Sequence, residues 1–310
     1  MSGSNRVLEP PCGGAAPGSG RSSSIPALPV TAPAAGAATP PTGRAPLQAA
    51  RLRERLRGCA LPYRIQVVAQ TDSTQLRARA AVAAGAAEGW AMLAEEQTAG
   101  RGRSGQGWVA PPGSALLASV VLRPGVLAPT LAPLALVAGV AVAEAVEAVG
   151  GPAVRLKWPN DCLALGRKLA GVLVEGVDPG PGADPGAPAV VVGIGCNVEA
   201  EPSELGPDLA GVATSCRAAG RPVSREALAV AVLSALADAY RRWQRQGFEP
   251  ARAAWLARAA DLGREVEATG PAGPLRGRVV GLDAAGGLRL ETAGGAVTVR
   301  AGAVRHLRPG

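Results

Sequence analysis

Lysine is almost absent from this chain. Lys157 and Lys168 stand against thirty arginines in 310 residues. Histidine is rarer still, with His306 alone, which leaves Ser–His and Cys–His catalytic pairs no base unless His306 serves. Five cysteines (Cys12, Cys59, Cys162, Cys196 and Cys216) form no CxxC pair. That arithmetic fits neither a zinc site nor a disulfide framework, and it suits a reducing cytoplasm. Aromatic residues make up only 3%, so Ala, Val and Leu must pack the core, and an apolar fraction of 47% suffices for one. No apolar run reaches the roughly 20 residues of a membrane span. The best candidate, Leu131 to Val149, is broken by Glu144 and Glu147.

The net charge of +8 invites a nucleic-acid reading, so its distribution matters. Residues 1–60 hold seven Arg against two acids, and 263–310 hold seven against four. The middle, 61–262, balances eighteen bases with eighteen acids. A basic face on a folded unit is what DNA binding requires, and the largest excess here lies in a tail.

Residues 1–46 are rich in Pro, Gly and Ala, which cannot offset the entropy of ordering, and the expectation is a disordered extension. Leu47 to Leu56 has helical spacing but is too short for a winged helix-turn-helix. The folded part is expected to begin near Tyr63. Arg64–Gln70 reads as a strand, and Thr71, Asp72 and Ser73 offer N-cap oxygens to a helix from Thr74 to about Ala84. Strands follow at Ala91–Glu96 and Ala115–Leu122, then a helix over Leu131–Val149. Val154–Trp158, Ala170–Glu175 and Val190–Ile194 read as further strands, with Asp178–Pro188 a flexible connector. Helices over Arg225–Gln246 and about Pro250–Asp261 close a domain of residues 47–262. The fold class is α+β with a mostly antiparallel sheet. From 263 to 310 the pattern changes to five short strands between Gly-rich turns, a small antiparallel barrel.

Three stretches carry chemistry. Arg101 and Arg103 lie among Gly100, Gly102, Gly105 and Gly107, where backbone N–H groups can turn toward an anion and two guanidiniums add charge. The spacing matches neither a P-loop nor a dinucleotide fingerprint, and a solvated Arg-Gly loop is the bland alternative. Trp108 follows, fit either to stack on a planar group or to pack in the core. The stretch Arg155 to Glu175 holds both lysines and Asn160, one of three asparagines in the chain. Pro159 fixes the backbone so that Asn160 and Asp161 sit at a strand end, as ligand groups or as an Asx-turn. Lys168 follows a Gly166 turn into an apolar strand, where a compact ammonium stabilises charge on a reacting oxygen or simply snorkels. Asn197 ends the apolar strand GIGCN, suited to a base or ribose edge or to a turn. This inventory of cations with no His base fits ATP-dependent activation of a carboxylate.

The motifs TDST (71–74), EEQTAGRGRSGQGW (95–108), LKWPND (156–161), RKLAGVLVE (167–175), GIGCNV (193–198) and AVRHLR (303–308) resemble biotin protein ligases in order and spacing. The resemblance implies a catalytic domain like that of class II aminoacyl-tRNA synthetases, followed by an SH3-like domain. It implies ATP, biotin and Mg²⁺, and a biotin carboxyl carrier protein as acceptor, with the ligase a monomer or homodimer acting on neither DNA nor membrane. By position, Ser73, Thr74, Gln75 and Gln97 would bind the biotin rings. Arg101, Gly102 and Arg103 would form the loop over biotin and its adenylate, and Lys168, with Arg103, would act at the transferring phosphate. Lys157, Asn160, Asp161, Trp108 and Asn197 would serve ATP, with Asp161 the metal ligand. Gln75 replaces the family's usual Asn, and Ser104 a second basic residue. A lipoate or octanoate ligase of the same fold, a biotinyl-AMP-sensing regulator and an inactive binding scaffold are the alternatives.

Overall fold

The computed structural model describes residues 6–8, 43–125, 131–178, 188–205, 209, 211–270 and 273–306. Strand β2 (Arg64–Thr71) is followed by helix α2 (Thr74–Ala83), which crosses back so that β3 (Trp90–Gln97) pairs with β2 in parallel. The sheet continues through β4 (Ala115–Leu122), β5 (Arg155–Lys157), β6 (Asp161–Ala164), β7 (Arg167–Val177) and β8 (Ala189–Asn197), all joined antiparallel. The order is β2-β3-β4-β8-β7-β6-β5. The expected α+β class, with a mixed and mostly antiparallel sheet, is the architecture found.

Strand β4 is buried at all eight positions because helices cover both sheet faces. Ala78 and Val82 of α2 pack on Val121 and Val191 on one side. On the other, α3 (Leu134–Ala148) and α4 (Arg225–Gln246) join the main core, with α5 (Glu249–Arg258) beside them. A strand covered on both faces reads as an unbroken apolar run, and ALLASVVL does, apart from Ser119. Ser224 caps α4 as expected, its Oγ accepting from the Ala227 N–H at 3.3 Å.

The start of the folded part needs correcting. Described residues from 43 onward, upstream of Tyr63, are already packed against the domain. Helix α1 (Ala49–Arg55) buries Leu52, and Leu47 is buried just before it. Arg44 reaches Glu204 at 2.8 Å and Glu199 at 3.7 Å. The Leu47 N–H donates to Glu95 Oε1, and Arg225, fully buried, donates to the Ala45 carbonyl while pairing with Glu95 at 2.5 Å. Within the expected disordered extension of 1–46, residues 6–8 form β1 (Arg6–Leu8) and 43–46 make these contacts; residues 1–5 and 9–42, the connector at 179–187 and residues 307–310 lie outside the described residues.

At the C-terminus β9 (Glu265–Gly270), β10 (Gly273–Leu282), β11 (Leu288–Thr292), β12 (Gly295–Val299) and β13 (Ala303–His306) pair antiparallel, and β1 joins the β12 edge in parallel. The order β1-β12-β11-β10-β9-β13 makes a six-stranded sheet whose inner residues Val266, Ala268, Val279, Leu290 and Val299 alternate with exposed ones. The Trp158 indole N–H donates to the Gly286 carbonyl at 3.0 Å, and Arg252 to that of Leu282, so this sheet is bonded to the helix-covered larger unit beside the KWPND turn.

Candidate active site

The three motif stretches converge on a single cleft of about 210 Å³. Its walls hold Ser73, Thr74, Gln75 and Gln97 on one side and Lys157, Asn160, Asp161 and Lys168 on the other, with the loop of Arg101, Gly102 and Arg103 across it. Arg101, Arg103, Lys157 and Lys168 share the lining with one carboxylate, Asp161. Such an excess of positive charge suits a polyphosphate and a carboxylate together.

The β5–β6 hairpin places Lys157 opposite Asp161, and the β6–β7 turn through Leu165 and Gly166 returns Lys168 to the same place. Lys168 Nζ lies 2.7 Å from Asp161 Oδ1 and 5.8 Å from the Trp108 ring centre. Asp161 thus stands in register with Lys157 and in an ion pair with Lys168. Lys168 is also fixed through its backbone, whose N–H donates to the Val212 carbonyl and whose carbonyl accepts from Thr214 N–H. That strap of residues 212–214 went unrecognised in the sequence, which carries no local sign of it.

Trp108 lies flat on the sheet. A Cβ at Gly195 would come within 2.5 Å of its ring and one at Gly171 within 3.2 Å, so glycine at both is what admits an indole here. The Gly-Arg loop folds as a tight hairpin, with Gly102 N–H donating to the Gln106 carbonyl and Trp108 N–H to that of Gly100. Arg103 reaches over the cleft to Asn160 Oδ1 at 3.4 Å and to the Gly302 carbonyl at 3.1 Å. Burial lowers the Arg103 pKa from its ordinary value, partly opposed by Asp161. Residues 302–304 of the C-terminal sheet complete the wall, a contribution legible only in three dimensions.

The expected caps of α2 are arranged otherwise. Asp72 Oδ1 accepts from Ser73 N–H at 2.6 Å, and Thr74 N–H donates to Gln97 Oε1 at 2.7 Å. The Ser73 hydroxyl makes no cap bond. It is buried and unpartnered, as is Trp108 Nε1. Buried polar atoms without partners are expensive, and here both line a cleft where a ligand would satisfy them. Asn197 is placed differently from the rest: it is buried behind the cleft, its amide donating to the Thr214 carbonyl at 3.0 Å, with Oδ1 unpartnered. Among the described residues no group of three or more His, Cys, Asp or Glu could hold a metal.

Among the described residues no cysteine lines the cleft. Cys162 is fully buried and burial pushes its thiol up to about 12, while Cys196 is raised by its contact with Cys216 and by burial. Among the described residues no helix is long and apolar enough to cross a membrane.

Comparison with known proteins agrees with this geometry. Residues 67–197 match the biotin/lipoate A/B protein ligase family and 261–307 the biotin protein ligase C-terminal domain. A biotin–[acetyl-CoA-carboxylase] ligase of Paracoccus denitrificans is 39% identical over 246 residues, covering 77% of this chain and 98% of the relative. The enzyme of the same name from Mycobacterium tuberculosis is 38% identical over 273 residues, covering 86% and 97%. The biotin protein ligase of Aquifex aeolicus, solved with biotin and ATP, superposes with a TM-score of 0.68 at 28% identity over 79% of this chain and 99% of that one. With the cleft, the C-terminal sheet and these relatives in agreement, the chain belongs to the biotin protein ligase family.

Proposed function

We propose that this protein activates biotin with ATP and transfers it to one lysine of a biotin carboxyl carrier protein. In the first step a biotin carboxylate oxygen bonds the α-phosphorus, the bond to the β-phosphate oxygen breaks, and pyrophosphate leaves. In the second, the acceptor amine attacks the acyl carbon and AMP leaves, the amine shedding its proton to solvent. Neither step asks the enzyme for a nucleophile. Each needs two anions held together and charge on oxygen neutralised, worth several kcal/mol when the donors are fixed in advance.

The observation that carries this reading is the Lys168 ammonium, held between Asp161 and Trp108 under the Arg103 loop. Lys168 and Arg103 meet the carboxylate and the α-phosphate. Thr74, Gln97 and the unpartnered Ser73 hydroxyl face the biotin rings, and Arg101 and Gly102 close over them. Lys157, Asn160 and Asp161 take the ATP phosphates, and Trp108 the adenine. Asn197 acts from behind, through Thr214. Mg²⁺ would enter with ATP, neutralising its phosphates and meeting Asp161, the lone cleft carboxylate. The architecture suits a class II synthetase-like domain followed by an SH3-like one.

Incubation with ATP, Mg²⁺ and either biotin or lipoate should release pyrophosphate with biotin only. Adding a carrier fragment should raise its mass by one biotinyl group. Equal release with lipoate, or none with biotin, would overturn the assignment.

A further inference from the structure

The Gln75 side chain is wholly engaged by protein. It is 3% exposed. Its Nε2 donates to Glu175 Oε2 at 2.9 Å and to the Val191 carbonyl at 3.3 Å. Both partners are acceptors, so the amide orientation is fixed and Oε1 must face the other way. It faces the Ser119 hydroxyl at 3.1 Å. Room for this reach exists because position 193 is glycine: a Cβ there would lie 2.4 Å from Gln75 Oε1.

Ser119 has one proton and two oxygens in range, Gln75 Oε1 and Thr74 Oγ1 at 2.9 Å. An amide oxygen with no hydrogen of its own can only accept, so it claims that proton. The Ser119 oxygen is then an acceptor for Thr74. The Thr74 hydroxyl has a second acceptor in Gln97 Oε1 at 3.0 Å, so its own proton points into protein whichever it chooses. What remains toward the cleft is Thr74 lone pairs. Glu175 anchors the far end of the chain and is balanced by Arg79 at 3.5 Å.

We propose that Gln75 is a positioning residue, which with Glu175 and Ser119 holds the Thr74 hydroxyl as an acceptor toward a substrate N–H. This rests on the biotin reading above, since the ureido ring of biotin presents two such donors. Gln75 itself then touches no substrate. With Gln75 removed, Ser119 turns its proton onto Thr74 and occupies a lone pair that the ligand needs.

The test measures biotin affinity by calorimetry, and KM for biotin and for ATP, on folded variants with wild type as control. Gln75→Leu, similar in size, should weaken biotin binding about 10-fold while KM for ATP stays within about 2-fold. The Ser119→Ala/Gln75→Leu pair should regain most of that loss, because the hydroxyl proton that would occupy the Thr74 lone pair is gone. A pair no better than Gln75→Leu, unchanged biotin affinity in Gln75→Leu, or losses shared equally by biotin and ATP would overturn the proposal. Should Gln75→Leu fail to fold, Gln75→Met takes its place with the same deciding outcomes. A wild-type enzyme that ignores biotin would instead sink the functional reading.

Discussion

At the scale of single residues, the two lysines differ in how firmly they are held. Lys168 is fixed by Asp161, by Trp108 and by both backbone bonds to the 212–214 strap, whereas Lys157 borders the cleft from β5. We expect Lys168→Ala to lower adenylation about 10²–10³-fold, as for loss of one preorganised charge donor, with the melting temperature little changed. Lys168→Arg should not restore it, because a flat guanidinium cannot occupy the corner between a carboxylate and an indole. Pyrophosphate release checks both, and near-normal rates in either variant would remove Lys168 from the chemistry. The place of this lysine was legible in the sequence from rarity alone. The position of Asn197 was not, since a strand-end amide beside glycines looks the same whether it faces the cleft or, as here, turns to Thr214.

Among the elements, the short segment 43–47 shows where reading a sequence fails. Arg44 meets residues 155 and 160 positions away, and no periodicity can announce such partners. Strands and helices with strong patterns, such as β4 and α4, are legible because each buries its own face; a latch of single residues has no face. Removing residues 1–42 should therefore leave the catalytic domain intact, while removing 1–47 should destabilise it. Losing Leu47 burial costs about 2 kcal/mol, and leaving Glu95 without the Leu47 N–H about 1 kcal/mol more. Urea midpoints would show this, and equal midpoints for the two truncations would mean that the latch contributes nothing. The same latch supplies the Ala45 carbonyl to the buried Arg225, so its loss leaves that guanidinium resting on its pair with Glu95 alone.

Across the whole molecule, the Gly-Arg loop is bonded to the C-terminal sheet as well as to the catalytic domain. Arg103 spans from Asn160 to Gly302, and Trp158 bonds Gly286 nearby, so the two domains share the wall that closes the cleft. Arg103→Ala should let biotinyl-AMP escape about 10-fold faster, the effect of losing a charge-assisted bond. A chase experiment with labelled adenylate measures it directly. Unchanged dissociation would show that the loop closes without this arm. Deleting 263–310 removes the same acceptor at Gly302 and should speed release in the same direction.

The flat floor beneath the site has a consequence in genetics. Gly171 and Gly195 leave room for Trp108, and Gly193 for Gln75, and a single methyl at any of the three meets a neighbour. A one-base change from a glycine to an alanine codon at Gly193 or Gly195 would then displace Gln75 or Trp108 and lower activity, with a milder effect at Gly171, where the nearest atom is 3.2 Å away. Loss-of-function alleles should accordingly cluster at positions that carry no functional side chain at all, and a search for them would map the floor as surely as it maps the lysines.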